Sequence, residues 1–399
     1  AWDGREVEVK VGESGASFSN YFTIFKGEAK QIEFNDLFVN VLIKDNQNDF
    51  TVQMQPNLYS GAGGVNGNDD IKGQPIPLCF GQVRNITPVL VDPANRIYQV
   101  HDGEINAIDD VFEGGVALTL TTDYTVDLAN GRFTLVADPT NLITADVKGA
   151  EPSSTYINKL GDIIKEVVIT HGGIASGNVD NTLITALNTD TSNRVAGIYI
   201  KEPTTVIEVL DQLANSAGAF FGFDRSGTFE VAQIKLATGT ADEEFDRSNI
   251  ISLERLAPSV PNYRIRVGYE KNYTVMTDSD FASGITNARR MELTREFAYE
   301  TATGSGVQTA YPNSQELIVD TLFDSNAHAS AEASRLSTLY GSQRDFYRVR
   351  VKIQPYTLKL NDVVKITFPR YNLTSGKLFR VISLIEDAQV NEVELELWG

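Results

Sequence analysis

The imidazoles available for acid–base or metal chemistry are His101, His171 and His328, and they stand far apart. No spacing such as His-x-x-x-His puts two ring nitrogens on one helix face. Each has a plain structural reading: His101 at a strand end, His171 in a Thr-His-Gly-Gly turn, His328 on an exposed turn of a helix. The best acid cluster is His101-Asp102 beside Glu104, with Asp109 and Asp110 nearby. General acid–base work needs such groups within hydrogen-bond reach of one substrate atom, and no other motif converges on this stretch. No Gly-x-Ser-x-Gly elbow presents a nucleophile, and Cys79 follows prolines with no motif around it. Gly61, Gly63, Gly64 and Gly67 sit beside Asn66, Asn68, Asp69 and Asp70, but neither Gly-Lys-Ser/Thr nor a helix start follows, so this run is a loop and not a phosphate cradle. Asp242-Glu-Glu-Phe-Asp246 lacks the glycine-centred loop of a calcium hand and reads as a solvated acidic loop. These residues assign no catalytic, cofactor or metal site, and the chain reads as non-catalytic.

The elements around these residues are mostly strands. From Trp2 to Val11, Val7, Val9 and Val11 oppose Glu6, Glu8 and Lys10, the period of a pleated strand with one buried face. Leu37, Val39, Val41 and Ile43 repeat the pattern, and Phe38 and Leu42 on the second face predict a strand covered on both sides. Pro75, Pro77 and Pro88 keep residues 74–92 extended. Tyr124–Leu128 and Arg132–Val136 flank Asn130-Gly131, a strong hairpin signal.

Two helices are predicted. Val206, Ile207, Leu210, Leu213, Ala214 and Ala217 form a stripe, with Thr204 or Thr205 as N-cap and Gly218 as stop. The second runs from about Ser325 to Tyr340, capped by Asp324, with Ala327, Ala331, Leu336 and Leu339 in its stripe. Between them, Phe220–Phe223, the turn Asp224–Gly227 and Thr228–Ile234 predict a hairpin, and Tyr263, Ile265, Val267 and Tyr269 alternate with Arg264 and Arg266. At the end, Tyr347, Val349, Val351 and Ile353 oppose Arg348, Arg350 and Lys352, and Val393, Leu395 and Leu397 oppose Glu392, Glu394 and Glu396.

The chain is therefore expected to be mainly β with a small α+β part, in several domains. Two barrel-like β domains at the ends enclose a β-hairpin unit and an α+β unit. The expected divisions are 1–74, a first β-barrel region with the Gly/Asn-rich loop; 75–149, a compact β unit; 150–257, an α+β unit; and 258–399, a second β-barrel domain with one helix.

At 399 residues and 42% hydrophobic content the chain has ample apolar area for several cores. A single cysteine excludes an internal disulfide and a Cys-rich cluster. No apolar run is long enough to span a bilayer, so no stable membrane insertion is expected. Ala1 is not an initiator Met, and residues of the natural reading frame are expected ahead of it. The net charge of −19 opposes binding to a phosphate backbone.

Leu358-Lys-Leu-Asn-Asp-Val-Val-Lys-Ile-Thr-Phe-Pro-Arg-Tyr-Asn-Leu-Thr-Ser-Gly-Lys-Leu-Phe-Arg-Val-Ile382, closing on Val393-Glu-Leu-Glu-Leu-Trp398, resembles the end of tail hub proteins of long-tailed bacteriophages and prophages. Trp2-Asp-Gly-Arg-Glu-Val-Glu-Val-Lys10, Phe25-Lys-Gly27 and the strand ending in Lys44-Asp45 resemble that family's first barrel. Pro77–Asn85 and Ile143–Gly149 also resemble segments of such proteins. The resemblance covers about two thirds of the chain in discontinuous blocks.

It implies a structural baseplate hub of the virion, at the tail tip: a homotrimer whose two barrels per subunit make a pseudo-hexameric ring. That ring would meet a tail tube or distal tail protein on one side and a tail fibre or central tip protein on the other. It would also contact the tape measure protein and let DNA pass without tight binding. Assembly in the host cytoplasm follows from the same resemblance. The chain lacks the cysteine set that holds an iron–sulfur cluster in some relatives, so no cofactor is expected. The alternatives are a tail-associated hydrolase acting on cell wall or polysaccharide, and a receptor-binding tip protein. For the ring, a carboxylate-lined bore would repel DNA, and Arg348, Arg350 and Lys352 would then face a neighbour or an acidic partner, or simply form a solvated strand face.

Overall fold

The computed structural model describes residues 4–352, 358–387 and 390–399; the strand start at Trp2 and the inward Ile353 lie outside the described residues. Strands β1 (Arg5–Val11), β2 (Phe22–Phe34) and β3 (Val39–Lys44) form an antiparallel sheet in that order. The predicted two-sided cover of Leu37–Ile43 is not found. Leu37 precedes the strand, and Leu37, Phe38, Val39, Val41 and Leu42 are all exposed. Three strands cannot close on themselves, so this region is an open sheet and not a barrel within one chain. Alternation specifies a pleat with apolar faces and says nothing about which molecule covers them.

Residues 75–150 build a sandwich. It comprises β4 (Leu78–Ile86), β5 (Val89–Asp92), β6 (Ile97–Gln99), β7 (Ile105–Glu113), β8 (Val116–Ala117), β9 (Tyr124–Asp127), β10 (Arg132–Leu135) and β11 (Ile143–Ala150). One sheet has the order β5-β6-β10-β9 and the other contains β4-β11-β7-β8. Tyr98, Phe133 and Leu135 of the first pack on Val83, Val111 and Val147 of the second. The Asn130-Gly131 hairpin forms, with Arg132 opposite Asp127 and Gly131 in the left-handed conformation that a glycine adopts without strain. The Gly-rich run is a loop, holding one 3-10 turn, Gly64–Asn66.

The α+β unit contains α1 (Leu160–Glu166), α2 (Asn181–Asp190), β12 (Gly197–Ile200), α3 (Val206–Ser216), β13 (Ala219–Phe223) and β14 (Phe229–Gln233). α3 starts as predicted, with a capping box in which the Thr205 and Glu208 side chains satisfy the first turn. α1, which runs on into a π turn at Val167–His171, and α2 were not predicted. β12 extends the sandwich by pairing with β4, where Gly81 faces Gly197. β4 thus has two covered faces: Cys79 points into the sandwich core, while Leu78 and Phe80 join the helical core with Leu160, Val209 and Leu213.

The remaining strands are β15 (Glu243–Phe245), β16 (Ile250–Arg255), β17 (Arg264–Tyr269), β18 (Ala298–Thr303), β19 (Glu316–Asp320), β20 (Phe346–Lys352), β21 (Val363–Ile366), β22 (Lys377–Asp387) and β23 (Glu392–Trp398). Helices α4 (Asn287–Leu293), α5 (Val307–Ala310) and α6 (Asn326–Tyr340) accompany them, three helices where one was expected. The six-stranded sheet has the order β15-β21-β22-β23-β20-β16 and draws strands from both sides of Pro258. Its two edge strands are consecutive in sequence, joined by Asp246–Asn249. A four-residue link reaches at most about 18 Å, so the sheet must curl until its edges approach. Phe245, Tyr347, Val349, Phe379, Val393 and Leu395 fill the inside.

β17, β18 and β19 form a separate sheet covered by α6. The buried stripe of α6 is Ala329, Glu332, Ala333, Leu336 and Leu339, while Ala327 and Ala331 are exposed. The predicted stripe is offset because a buried glutamate breaks the apolar pattern. Ser325, not Asp324, holds the N-cap position.

Candidate functional site

The histidines occupy three separate surroundings. His101, just past β6, is buried, and its Nδ1 accepts the Cys79 N–H at 2.9 Å. Burial pushes its pKa down to about 3, with His171 adding to the effect. His171 donates from Nδ1 to the Met54 carbonyl at 2.8 Å, and burial lowers its pKa too. The two imidazoles stand nearly perpendicular to the same aromatic neighbour, with ring centroids 5.9 and 5.7 Å from Phe80. Both are neutral packing groups. His328 is half-buried, not exposed, and its Nδ1 lies 3.1 Å from Asp324 Oδ1. That contact diverts the Asp324 carboxylate from capping α6.

The acid cluster disperses. Asp102 accepts from Asn57 Nδ2 at 2.8 Å, while Asp109, on β7, pairs with Lys148 at 2.9 Å and accepts from Gln82 at 3.0 Å. Cys79 is fully buried and desolvation raises its thiol pKa. Among the described residues, no group of three or more His, Cys, Asp or Glu side chains is placed to hold a metal ion.

Asp242–Asp246 is not a loop. Glu243–Phe245 is an edge strand parallel to β21, Phe245 is buried, and Asp242 accepts the Val363 N–H at 2.8 Å. Carboxylates at Asp242, Glu243, Glu244 and Asp246 hid a strand in which Phe245 is the buried residue.

The basic face of β20 finds its partners within its own sheet. Register places Arg348 beside Glu396 on β23 and Glu254 on β16, and Arg350 beside Glu394. Arg348 lies 2.8, 3.5 and 3.6 Å from Glu396, Glu254 and Glu394, and Arg350 pairs with Glu392. Cross-strand pairs of opposite sign stabilise a ladder modestly. They give Arg348 and Arg350 partners within their own sheet; no such ion pair forms at Lys352 among the described residues.

A buried ionic cluster was invisible in the sequence. Glu332 of α6 is 1% exposed and accepts from Arg194 Nη1 at 2.7 Å and from Arg335 Nη2 at 2.6 Å. Arg335 also donates to the carbonyls of Ala217 and Ile234 at 3.0 and 2.8 Å, closing the C-terminal end of α3. The cluster ties α6 to the α+β unit. Only the run Arg194…Glu332-x-x-Arg335 could have hinted at it, and that pattern is indistinguishable from an ordinary surface i,i+3 pair.

The surface feature that stands out is the N-terminal sheet. Phe18, Phe22, Phe34, Leu37, Phe38, Val39, Val41 and Leu42 are exposed within 25 consecutive positions, Leu37 at 82% and Phe34 at 72%. So many large apolar side chains exposed along one small sheet make it the candidate interaction surface of the chain.

No protein-family model matches the chain, and no curated protein matches it. Its fold is similar to that of a chain in the virion of the native gene transfer agent particle, at a TM-score of 0.54 and 13% identity, covering 82% of this chain and 84% of that one. A tail protein from Neisseria meningitidis MC58 aligns over 69% of this chain and 77% of its own, at a TM-score of 0.38 and 12% identity. The 43 kDa tail protein of prophage MuSo2 from Shewanella oneidensis aligns over 81% and 93%, at 0.36 and 14%. The first likeness spans more than four fifths of both chains, and the fold it shows is shared with a virion component.

Proposed function

We propose that the chain is a non-catalytic structural subunit of a phage tail, a hub at the tail tip that assembles as a homotrimer. The observation that carries this reading is the exposed apolar sheet β1–β3, which a solitary chain would leave in water. The fold shared with a virion chain supports it. In this reading the sheet within residues 1–74 and the curled six-stranded sheet of the C-terminal part alternate around a pseudo-hexameric ring. Each copy covers the apolar faces of its neighbour's N-terminal sheet. The ring joins the tail tube or distal tail protein to a fibre or central tip protein and contacts the tape measure protein. Closed symmetry leaves no growing strand edge.

DNA would pass without adhering. The chain carries −19, a trimer three times that, and Arg348 and Arg350 of the six-stranded sheet are paired with glutamates of their own sheet. The test is a reconstruction of the tail tip together with sedimentation of tail-derived material. Three copies in a ring whose bore is lined by carboxylates are expected. A single copy, an open filament, or tight salt-sensitive DNA binding by the trimer would overturn the reading.

A further inference from the structure

β2 is 13 residues long, and its two flanks cover different parts of it: β1 pairs with Phe22–Ala29 and β3 with Glu28–Phe34. Residues 30–42 therefore project as a two-stranded arm, and all of them but the half-buried Ile32 are exposed. The register gives the arm one apolar face, with Ile32 beside Val41 and Phe34 beside Val39. At the turn the Asn35 carboxamide oxygen accepts the N–H groups of Leu37 and Phe38 at 2.9 and 2.7 Å, which sets those two residues at the tip. A two-stranded hairpin alone is marginally stable in water, so the arm needs a cover.

The six-stranded sheet carries a second uncovered apolar strip. In β22 the register with β23 slips between Val381 and Ser383, a β-bulge whose extra residue is Ile382. Past the bulge Leu384 packs on the inner core opposite Leu395, and Ile385 stands on the outer face beside Glu394. Ile382 and Ile385 are 43% and 60% exposed, on a strand whose inward Phe379 and Val381 are buried. Leu360, also exposed, comes next to them, since the Asn361 N–H donates to the Val381 carbonyl at 2.8 Å. Leu360 is also one wall of a hollow of about 240 Å³ shared with Phe221, Phe223 and Leu384. Bulges re-aim side chains, and this one leaves two isoleucines in water beside an apolar hollow, rimmed by the charged ladder of β20 and β23. An apolar centre with a polar rim is the layout of an interface.

The occupant follows from area and charge. The arm exposes Phe34, Leu37, Phe38, Val39, Val41 and Leu42, on the order of 700 Å² of side chain and close to the roughly 800 Å² per partner that a stable interface takes. Residues 1–74 carry eleven acidic and six basic side chains, a field that repels anionic lipid and nucleic acid, whereas residues 358–385 carry one acidic and five basic. Lys359, Lys365 and Lys377 already have carboxylates of their own chain, so charge orients the approach and apolar contact holds it. A head-to-tail contact between two different surfaces of identical chains closes into a ring when the rotation allows, and leaves neither surface uncovered. We propose that the arm of residues 30–42 of each chain lies across Leu360, Ile382 and Ile385 of the next copy, with its aromatic tip in the hollow. This docking rests on the homotrimer reading.

The experiment uses trimer isolated from tails, after its mass has been measured. Val41→Cys with Ile385→Cys, treated with a short bis-maleimide, should give chain-to-chain products up to the covalent trimer, and neither single variant should; the buried Cys79 stays out of reach. Ile385→Asp should cut incorporation into tails by about tenfold or more. The melting temperature of the isolated Ile385→Asp chain should stay within about 2 °C of the parent, because the side chain is exposed. Four results would each overturn the docking and leave the trimer standing: a double variant that does not cross-link, cross-linking by Val41→Cys alone, a cross-link inside one chain, or unchanged incorporation of Ile385→Asp. Tail material with a single copy overturns the homotrimer reading and the docking with it.

Discussion

Removing the Glu332 carboxylate, as in Glu332→Ala, should destabilise the chain by about 3–5 kcal/mol, the cost of leaving a buried charge without its counter-charge. Arg194 suffers most. Its side chain is 5% exposed; among the described residues its ion pair is the 2.7 Å contact to Glu332, and its guanidinium also lies 5.2 Å from the Phe323 ring centroid. Arg335 keeps the Ala217 and Ile234 carbonyls and loses less. For a chain of this size the urea dependence is about 3 kcal/mol/M or steeper, so the unfolding midpoint should fall by about 1 M. Most of the cost is desolvated charge and not a lost attraction. The double variant Glu332→Leu with Arg194→Met should therefore regain more than half of the midpoint shift, because neither charge is then buried alone. A Glu332→Ala midpoint within 0.2 M (roughly 0.6 kcal/mol by the same slope) of the parent, or a double variant no more stable than the single, would refute this account.

The His101 imidazole has its pKa pushed down to about 3 by burial, so the unfolded chain binds the proton first and stability falls as pH drops below about 6.5. The loss should reach about 2 kcal/mol at pH 5 from this group and flatten below pH 3; His101→Gln should remove this share and leave the contribution of His171, whose pKa burial also lowers, as urea titrations across pH would show. Gly197→Ala should prevent β12 from docking on β4, since a Cβ there would meet the Gln82 carbonyl oxygen at 1.9 Å; loss of amide-exchange protection at Gly197–Ile200 is the readout. Thr205→Ala removes a capping-box partner of α3 and should cost about 1 kcal/mol in thermal or urea unfolding. Leu37→Asp with Leu42→Asp should leave the melting temperature of the isolated chain within about 2 °C, because both side chains are exposed, yet abolish incorporation into tails.

Much of this architecture was legible because burial on one face imprints a period on the residues. β20 and β23 alternate cleanly, and α3 carries an uninterrupted stripe with its cap. The failures have distinct physical causes. The run Ile163-Ile-Lys-Glu-Val-Val-Ile169 has the β-branched composition of a strand, but Ile163, Ile164, Val167 and Val168 are buried in the helical core, where burial outweighs intrinsic preference. α2 is rich in Thr and Asn, and it is set by the Asp180 carboxylate capping its first turn at 2.8 and 3.1 Å. Glu332 disguised the register of α6, and the carboxylates of Asp242–Asp246 disguised an edge strand. Polar residues in contact only through the fold leave no local pattern.

The curled six-stranded sheet also sets a timetable for synthesis. β15 finds its partner β21 only 121 positions later, where Glu243 meets Val364, and β16 waits for β20. At roughly 5–20 residues per second, residues 243–255 spend on the order of ten seconds outside the ribosome with unpaired strand edges. A nascent segment in that position is open to pairing with other chains. The Asp, Glu and Arg side chains that punctuate Asp242–Asp246 and Ser252–Arg255 act in that interval as gatekeepers, holding neighbouring nascent chains apart by charge until the last four strands emerge to claim both edges.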